Sequence, residues 1–316
     1  MSAYVLRRVW LLVPTLIGMS LLIFCMLRLL PGDIVDVMTG GDIPSSAQSK
    51  ERLREAFGLD KPLPIQYVTW LGNMLRGDLG TSFRSGEPIT TILSRAVPVT
   101  LELTILAVLI ATVCAIPLGV ISAVLRESGF DYVSRIAALL GLSMPNFWLA
   151  TLLLLFTSLV LHWIPRVNWI SPLEDPLGNL QQMLLPALAI ALQLMAILMR
   201  LTRTMMLEVL QQEYVRTARA KGAMERVVVF RHALRNALIP VVSVIGFQIG
   251  GLMGGSAIIE VIFGLNGVGN TLVQAIFNRD YPVVQATTLM VAVIFVFANL
   301  GVDLLYGYLD PRLKHA

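Results

Sequence analysis

The stretch that decides the fold is RLTRTMMLEVLQQEYVRTARAKGAMERVVVFRHALRNALIP, the polar connection from Arg200 to Pro240 between two long apolar runs. It holds a third of the protein's 24 lysines and arginines against three glutamates: Arg200, Arg203, Arg216, Arg219, Lys221, Arg226, Arg231 and Arg235 against Glu208, Glu213 and Glu225. Strongly basic connections between apolar helices lie on the cytoplasmic side of a membrane. We therefore expect residues 200–240 to form a cytoplasmic loop between two membrane helices.

The composition outside this loop is that of a membrane protein. The 316 residues are 56% hydrophobic and 14% charged, whereas a soluble domain is typically about a quarter charged. Apolar runs of about 20 residues predict membrane-spanning helices. The net charge of +4 follows from the basic cytoplasmic loops and does not indicate a nucleic-acid partner. The sequence predicts an all-α, polytopic protein embedded in membrane lipid.

Six apolar runs have the length of a membrane helix, at residues 9–30, 103–125, 136–161, 183–199, 239–263 and 283–308. Six crossings place both termini on one side. Further basic residues fall on that same side: Arg7, Arg8, Arg126, Arg312 and Lys314. The positive-inside rule then predicts cytoplasmic N and C termini.

Three regions follow from this pattern. Residues 1–30 form the N-terminus and first membrane helix. Residues 31–98 are polar, balanced in charge and rich in turn signals, so we expect an extracytoplasmic subdomain with short helices at 45–57 and 64–75. Residues 99–316 form the core of five further membrane helices, including the cytoplasmic loop 200–240.

Small and polar residues within the apolar runs predict close packing or a cavity. Gly246, Gly250 and Gly254 recur every four residues, a spacing that lets helices approach closely, either within the chain or against another subunit. Polar side chains in these runs indicate a cavity or interhelical hydrogen bonds, at Gln193, Gln248, Asn299 and Asp303.

No catalytic or metal site is predicted. Cys25 and Cys114 lie in apolar runs and are expected to be buried apolar residues. The three histidines (His162, His232 and His315) are dispersed without metal-ligand spacing. A nucleotide-binding G-x-x-x-x-G-K-[ST] loop is absent, so we expect no cofactor in this chain.

The most informative part of the basic loop is the segment EYVRTARAKG, residues 213–222. It contains no helix breaker before Gly222, which can take the left-handed position that ends a helix. Tyr214, Ala218 and Lys221 fall on one face, and a small central residue suits insertion into a groove on another protein. A second helix, at about 224–238, then leads back into the membrane.

These residues resemble the "EAA" loop of ATP-binding-cassette (ABC) importer permeases, in the dipeptide, oligopeptide and nickel branch. The most specific matches are RAKG at 219–222 and RHALRN at 231–236. Further matches run along most of the chain, at 4–8, 30–33, 58–62, 77–80, 280–283, 303–306 and 310–312. The chain departs from the Glu-Ala-Ala pattern, with Arg216, Thr217 and Ala218 at those positions and Glu213 one turn earlier.

The resemblance implies a type I ABC importer permease fold in a bacterial inner membrane. It implies a second, homologous permease subunit, two ATPase subunits that bind ATP and Mg²⁺, and an extracytoplasmic binding protein. The ATPase contacts would be made by Glu213, Tyr214, Arg216, Thr217, Ala218, Arg219, Lys221 and Gly222. Small peptides are the implied cargo, with nickel complexes or glutathione as alternatives.

Two other functional classes remain open from the residues alone. A secondary transporter would lack an ATPase partner and is expected to show inverted repeats and buried carboxylates. A membrane-embedded enzyme would need a polar constellation such as H-E-x-x-H within the spans. Co-purification with ATPase subunits would separate an ABC permease from both.

Overall fold

The computed structural model describes residues 2–28, 60–166 and 169–309, and this part of the chain is almost entirely helical. The helices are α1 (Ser2–Arg28), α2 (Leu63–Leu75), α3 (Ile89–Val124), α4 (Gly129–Ser143), α5 (Asn146–Val160), α6 (Pro176–Leu210), α7 (Glu213–Ala220), α8 (Glu225–Val227), α9 (Leu234–Gly255), α10 (Ala257–Phe263), α11 (Val268–Phe277) and α12 (Tyr281–Leu309). A π-helical turn, Val228–Ala233, joins α8 to α9 without a break. The predicted all-α class is confirmed.

Five segments of the described chain are long and apolar enough to cross a membrane: Arg8–Met26, Ile89–Val124, Pro176–Leu210, Glu225–Gly254 and Tyr281–Val302. Two bent helix pairs, α4 with α5 and α10 with α11, bring the count to seven if each pair is one crossing. The count of six crossings and the cytoplasmic termini therefore stay predictions.

The predicted third span, 136–161, is not one straight helix. α4 and α5 meet at an angle of 104°. Met144 is extended (φ −96°, ψ 126°) because the ring of Pro145 disfavours the helical conformation at the preceding residue. Pro145 marks the position of this break in the sequence, but not the size of the bend.

The predicted fifth span, 239–263, is helical without a break only as far as Gly255, where α9 ends, and a separate short helix, α10, follows Ser256. Adjacent glycine and serine residues are common sites of helix kinks. The predicted polar link before Pro282 is also wrong, because α11 occupies most of it and packs back at 88° to α10.

The centre of the bundle is the contact between α3 and α6. Its seam on α3 consists of small buried residues at four-residue intervals: Ala107, Ala111, Ala115, Gly119 and Ala123. A Cβ atom on Gly119 would lie 2.8 Å from the carbonyl oxygen of Met199 on α6. Glycine is therefore required where these backbones approach most closely. The sequence analysis missed this seam, although its spacing is the signal used for α9.

The glycine face of α9 lies against α12 of the same chain. A Cβ atom on Gly246 would overlap the side chain of Val302. One on Gly250 would lie 3.0 Å from the Phe295 ring, and one on Gly254 would lie 2.7 Å from Val291 Cγ1. The three glycines thus allow α9 and α12 to pack closely.

At the N-terminus, α2 packs on α1. The hydroxyl groups of Ser20 and Tyr67 lie 2.8 Å apart, and the Phe24 ring contacts Tyr67 and Trp70. The predicted helix at 64–75 is therefore confirmed as α2. The predicted helix at 45–57 and residues 31–59 of the 31–98 subdomain lie outside the described residues, as do Arg312 and Lys314.

The two cysteines are placed differently from the expectation. Cys25 on α1 and Cys114 on α3 are both exposed on the surface of the chain, not buried. Both lie within segments long enough to cross a membrane. Apolar runs in a membrane protein face lipid as well as the protein interior. Hydropathy alone therefore does not distinguish a lipid-facing residue from a buried one.

Candidate functional site

The basic connection is shorter than the sequence predicted. α6 continues to Leu210, so Arg200 and Arg203 lie on a long helix and not in a loop. On the C-terminal side of the connection, α8 begins at Glu225 and continues through the π-turn into α9. The predicted helix at 224–238 is therefore not a separate element. Residues 211–224, called the arm below, connect α6 to α8. α7 is the helix of the arm.

Gly222 ends α7 as predicted. Its φ of +80° is left-handed. The Gly222 N–H donates to the Arg219 carbonyl (2.9 Å), and the Ala223 N–H donates to the Ala218 carbonyl (3.2 Å). These two bonds form a complete Schellman motif, which turns the chain sharply after the helix. The glycine turn therefore separates α7, within the arm, from α8, which begins at Glu225.

Three contacts hold the arm against the neighbouring part of the chain. Val215 is fully buried on the inner face of α7. The Asn236 side-chain amide donates to the Tyr214 hydroxyl (2.7 Å). Arg219 forms two hydrogen bonds to the Glu225 carboxylate (2.7 and 3.1 Å), which raises the pKa of the guanidinium above its usual value. Val215 was not predicted from the sequence, in which it is one apolar residue in a polar segment.

The outer face of α7 is exposed and mostly polar. The predicted contact residues surround α7 and its C-terminal turn, with Ala218 half-buried and the rest exposed: Glu213, Tyr214, Arg216, Thr217, Arg219, Lys221 and Gly222. Of these, Tyr214 and Arg219 also make the contacts to Asn236 and Glu225. Arg216 pairs with Glu213 within the helix (2.9 Å). The arrangement presents a short, rigid, basic helix that another protein can contact.

Arg203 has a different position from that expected of a loop residue. Its guanidinium donates two hydrogen bonds to Asp131 (2.7 and 2.8 Å), and the Ser122 hydroxyl donates a third (2.7 Å). The Asp131 side chain is fully buried. Paired charges in a buried site join elements strongly, since removing either partner leaves the other uncompensated. The end of α3, the start of α4 and the end of α6 are held together here.

A cavity of about 240 Å³ lies midway along α6, where α5 begins at the bend after Pro145. Its polar lining is Asn146 and Gln193, and the remaining walls are apolar: Phe147, Ile190, Leu252, Ile258 and Ile259. The Asn146 Oδ1 atom is buried and has no hydrogen-bond partner within the described residues. Of the two roles left open for Gln193, a cavity or an interhelical hydrogen bond, the structure shows the cavity.

Glu260 fixes the second bent pair. It is fully buried on α10 and accepts hydrogen bonds from the Thr100 hydroxyl (2.7 Å), the Ser256 hydroxyl (2.8 Å) and the Asn270 N–H (2.8 Å). The last bond caps the start of α11. The sequence analysis missed this residue, and the available signal was a lone carboxylate in an apolar run.

A polar cleft of about 400 Å³ lies at the end of α3 opposite the arm, bounded by α11. Its charged residues are Arg84, Glu87, Arg95 and Asp280, and Arg95 pairs with Glu87 (3.1 Å). The buried Asp280 accepts hydrogen bonds from the Ser82 hydroxyl and the Phe83 N–H. This contact ties the segment before α3 to the turn before α12.

Comparison with known proteins identifies the family. The family described as "Binding-protein-dependent transport system inner membrane component" matches residues 115–315, and its N-terminal counterpart matches residues 1–104. A putative peptide transport system permease protein of Brucella abortus is 42% identical over 315 residues, covering 100% of both chains. The dipeptide transport system permease protein DppB of Alkalihalophilus pseudofirmus is 41% identical over 336 residues, again covering 100% of both.

Among solved structures, this chain is similar to an amino acid ABC transporter crystallised with histidines, with a TM-score of 0.48 and 17% identity. The match covers 71% of this chain and 94% of that one, and no conclusion depends on it. The family match and the full-length relatives are sufficient by themselves. The chain belongs to the family of binding-protein-dependent transport system inner membrane components, the membrane-spanning permease subunits of bacterial ABC importers.

Proposed function

We propose that this chain forms half of the translocation pathway of an ATP-driven importer of small peptides. The observation that carries the proposal is the set of relatives that align along the whole chain at 40–42% identity and are named for peptide, dipeptide or oligopeptide transport. Nickel complexes and glutathione are the alternative cargoes within the same branch. The family assignment leaves no support for a secondary transporter or a membrane-embedded enzyme.

The proposed complex has four further subunits. A second, homologous permease would complete the pathway, and an extracytoplasmic binding protein would deliver the substrate. Two ATPase subunits would bind ATP and Mg²⁺ and hydrolyse the nucleotide, since this sequence has no phosphate-binding loop of its own. The family's dependence on a binding protein supports this composition.

In this proposal the arm is the contact for one ATPase subunit. The exposed basic face of α7 would lie in a groove of the ATPase, and closure of the ATPase dimer would displace it. Val215, the Tyr214–Asn236 bond and the Arg219–Glu225 pair would transmit that displacement to α6 and α9. Switching between inward-facing and outward-facing states is then a rigid-body change driven from the arm.

The cavity at Asn146 and Gln193 supports peptides as the cargo. A side-chain amide both donates and accepts hydrogen bonds, as a peptide group does. Hydrogen bonds to the backbone of the cargo do not depend on its side chains. In this proposal the side-chain amides of Asn146 and Gln193, which line the cavity, would bind backbone groups of the peptide.

The test is uptake by the complete importer in proteoliposomes, with the ATPases, both permeases and the binding protein present. We expect ATP-dependent uptake of a labelled dipeptide, and no comparable uptake of a nickel chelate or glutathione. Preferred uptake of either of the latter would reassign the cargo. Uptake that proceeds without ATP would contradict the proposed class of transporter.

A further inference from the structure

The short helix α10 (Ala257–Phe263) borders the cavity at Asn146 and Gln193, called the central cavity below. We propose that α10 is a lid, which closes the central cavity from the extracytoplasmic side, and that Thr100 on α3 holds the lid shut. This proposal rests on the transport function proposed above. It names the part of this chain that seals the translocation pathway from outside.

The helix that follows the lid, α11, runs along the outer part of α3 in the opposite direction. At its start, the Val268 N–H donates to the hydroxyl of Thr100, which lies eleven residues after Ile89, the start of α3 (2.8 Å). Just after its end, Asp280 accepts a hydrogen bond from the Ser82 hydroxyl, in the segment that leads into α3. α11 therefore leads from the level of Thr100 to the end of the bundle opposite the arm.

The lid helix α10 lies across the bundle at the level of Thr100. It is bent by 88° from α11 and contacts α5 and α6. Glu260, in the middle of α10, accepts a hydrogen bond from the Thr100 hydroxyl (2.7 Å), which joins the helix to α3. Two neighbouring side chains of α10, Ile258 and Ile259, line the central cavity. α10 thus extends from α3 to α5 and α6, with apolar residues against the cavity.

The central cavity lies on the arm side of α10, and the polar cleft lies on the other side. α3 and α6 both run towards the arm, and Gly119 on α3 meets Met199 on α6. Gln193 lies six residues before Met199, whereas Thr100 lies nineteen residues before Gly119. At 1.5 Å per residue, Gln193 is therefore about 20 Å nearer the arm than Thr100. The polar cleft includes Gln274 on α11 and so lies on the outer side of the lid.

The Thr100 hydroxyl attaches both α10 and α11 to α3. It donates to Glu260 on α10 and accepts from the Val268 N–H on α11, and both Thr100 and Glu260 are fully buried. The turn between the two helices contains Gly267, where a Cβ atom would lie 2.5 Å from the Thr100 hydroxyl oxygen and 2.5 Å from Glu260 Cδ. Moving α10 away from α3 would break both hydrogen bonds in a buried site. One side chain of α3 therefore keeps the lid closed.

The test is the accessibility of a cysteine in the central cavity of the assembled importer without nucleotide, in right-side-out membrane vesicles. The chain carries Gln193→Cys, with Cys25 and Cys114 replaced by serine, and a membrane-impermeant thiol reagent is added outside. Thr100→Val removes both hydrogen bonds of the hydroxyl and keeps nearly the same volume. From about a fivefold contribution of each hydrogen bond, we expect Thr100→Val to make labelling of position 193 about 25-fold faster.

The matched control is Thr112→Val, the same substitution on the same helix, where the hydroxyl has no hydrogen-bond partner within the described residues. We expect it to leave the labelling rate unchanged. A further variant replaces the link by a disulfide: Thr100→Cys and Gly267→Cys, with Glu260→Ala to make room for the new side chain. Oxidation of this variant is expected to slow labelling of position 193, read by peptide mass spectrometry, and reduction is expected to speed it.

Equal labelling rates with and without Thr100→Val, or an equal acceleration by Thr112→Val, would overturn the proposal, as would fast labelling that persists in the disulfide-linked chain. A cysteine at the polar cleft, Gln274→Cys, tests the orientation of the chain separately, because we expect it to be labelled from outside in every variant. Absence of that label would overturn the proposed orientation and the lid with it. A labelled position 274 together with a failed test at position 193 would overturn the lid alone.

Discussion

Gly222 is the residue on which the shape of the arm depends. Its φ of +80° costs an L-residue roughly 1–2 kcal/mol, although a built Cβ atom meets no neighbour within 4 Å. The constraint on this position is therefore conformational and not steric. An aspartate here would add both this cost and a negative charge beside the basic face of α7.

We expect Gly222→Asp to insert normally but to abolish stimulation of ATP hydrolysis by the substrate-loaded binding protein. The measurement is ATPase activity of the reconstituted importer with and without that protein. Gly251→Ala is the control, because Gly251 is helical and also has no neighbour within 4 Å. Normal coupled turnover in Gly222→Asp would count against the docking role of the arm.

Glu260 illustrates a second constraint at the scale of one residue. Glu260→Ala would leave three buried donors without an acceptor, each at a cost of about 1–3 kcal/mol. Glu260→Gln keeps one acceptor oxygen and nearly the same volume. We predict a large loss of thermal stability in detergent for the alanine variant and a smaller one for glutamine. Equal stability of Glu260→Ala and the unaltered protein would show that the bent pair does not need this cap.

The sequence predicted single residues well only where their role is local. Gly222 was predicted because a helix end is encoded by its own neighbours. The role of Arg203 was not, because its partner Asp131 lies 72 residues away in the chain. A surplus of basic residues identifies the side of the membrane, but it does not show which arginine is paired.

At the scale of elements, apolar runs located the membrane helices but not their ends. α3 and α6 have 36 and 35 residues, or about 54 and 52 Å at 1.5 Å per residue, and so exceed a hydrocarbon layer of about 30 Å. Hydropathy does not detect the polar ends of such helices. The two sharp bends were also underestimated, because proline and glycine mark a break without fixing its angle.

The α3–α6 seam leads to a prediction about helix packing. Gly119→Ala would place a Cβ atom 2.8 Å from a backbone oxygen of α6, which cannot move aside as a flexible side chain can. Overpacking of this kind costs typically about 1–3 kcal/mol. We expect a lower midpoint of thermal unfolding in detergent for Gly119→Ala than for the control Gly251→Ala. Identical midpoints would mean that the two helices are not packed as tightly as described.

At the scale of the whole molecule, the arm and the polar cleft lie at opposite ends of a connected bundle. α3 and α6 form its centre, and the Asp131–Arg203 pair joins them to α4 beside the arm. At the far end, Asp280 and Glu260 join the region of α3 to α10, α11 and α12. Displacement of the arm is therefore expected to move the bundle as a body, and the sequence could not show these links because each joins distant segments.

The central claim is that the arm contacts an ATPase subunit from the cytoplasm. Cross-linking in the assembled importer tests it most directly. The test variant is Thr217→Cys on the exposed face of α7, and the control is Thr69→Cys on the exposed surface of α2. Both are made in a chain in which Cys25 and Cys114 are replaced by serine. We predict that a short bifunctional reagent joins position 217, and not position 69, to an ATPase subunit. Cross-linking of position 69 alone, or labelling of position 217 only from outside the cell, would contradict the account.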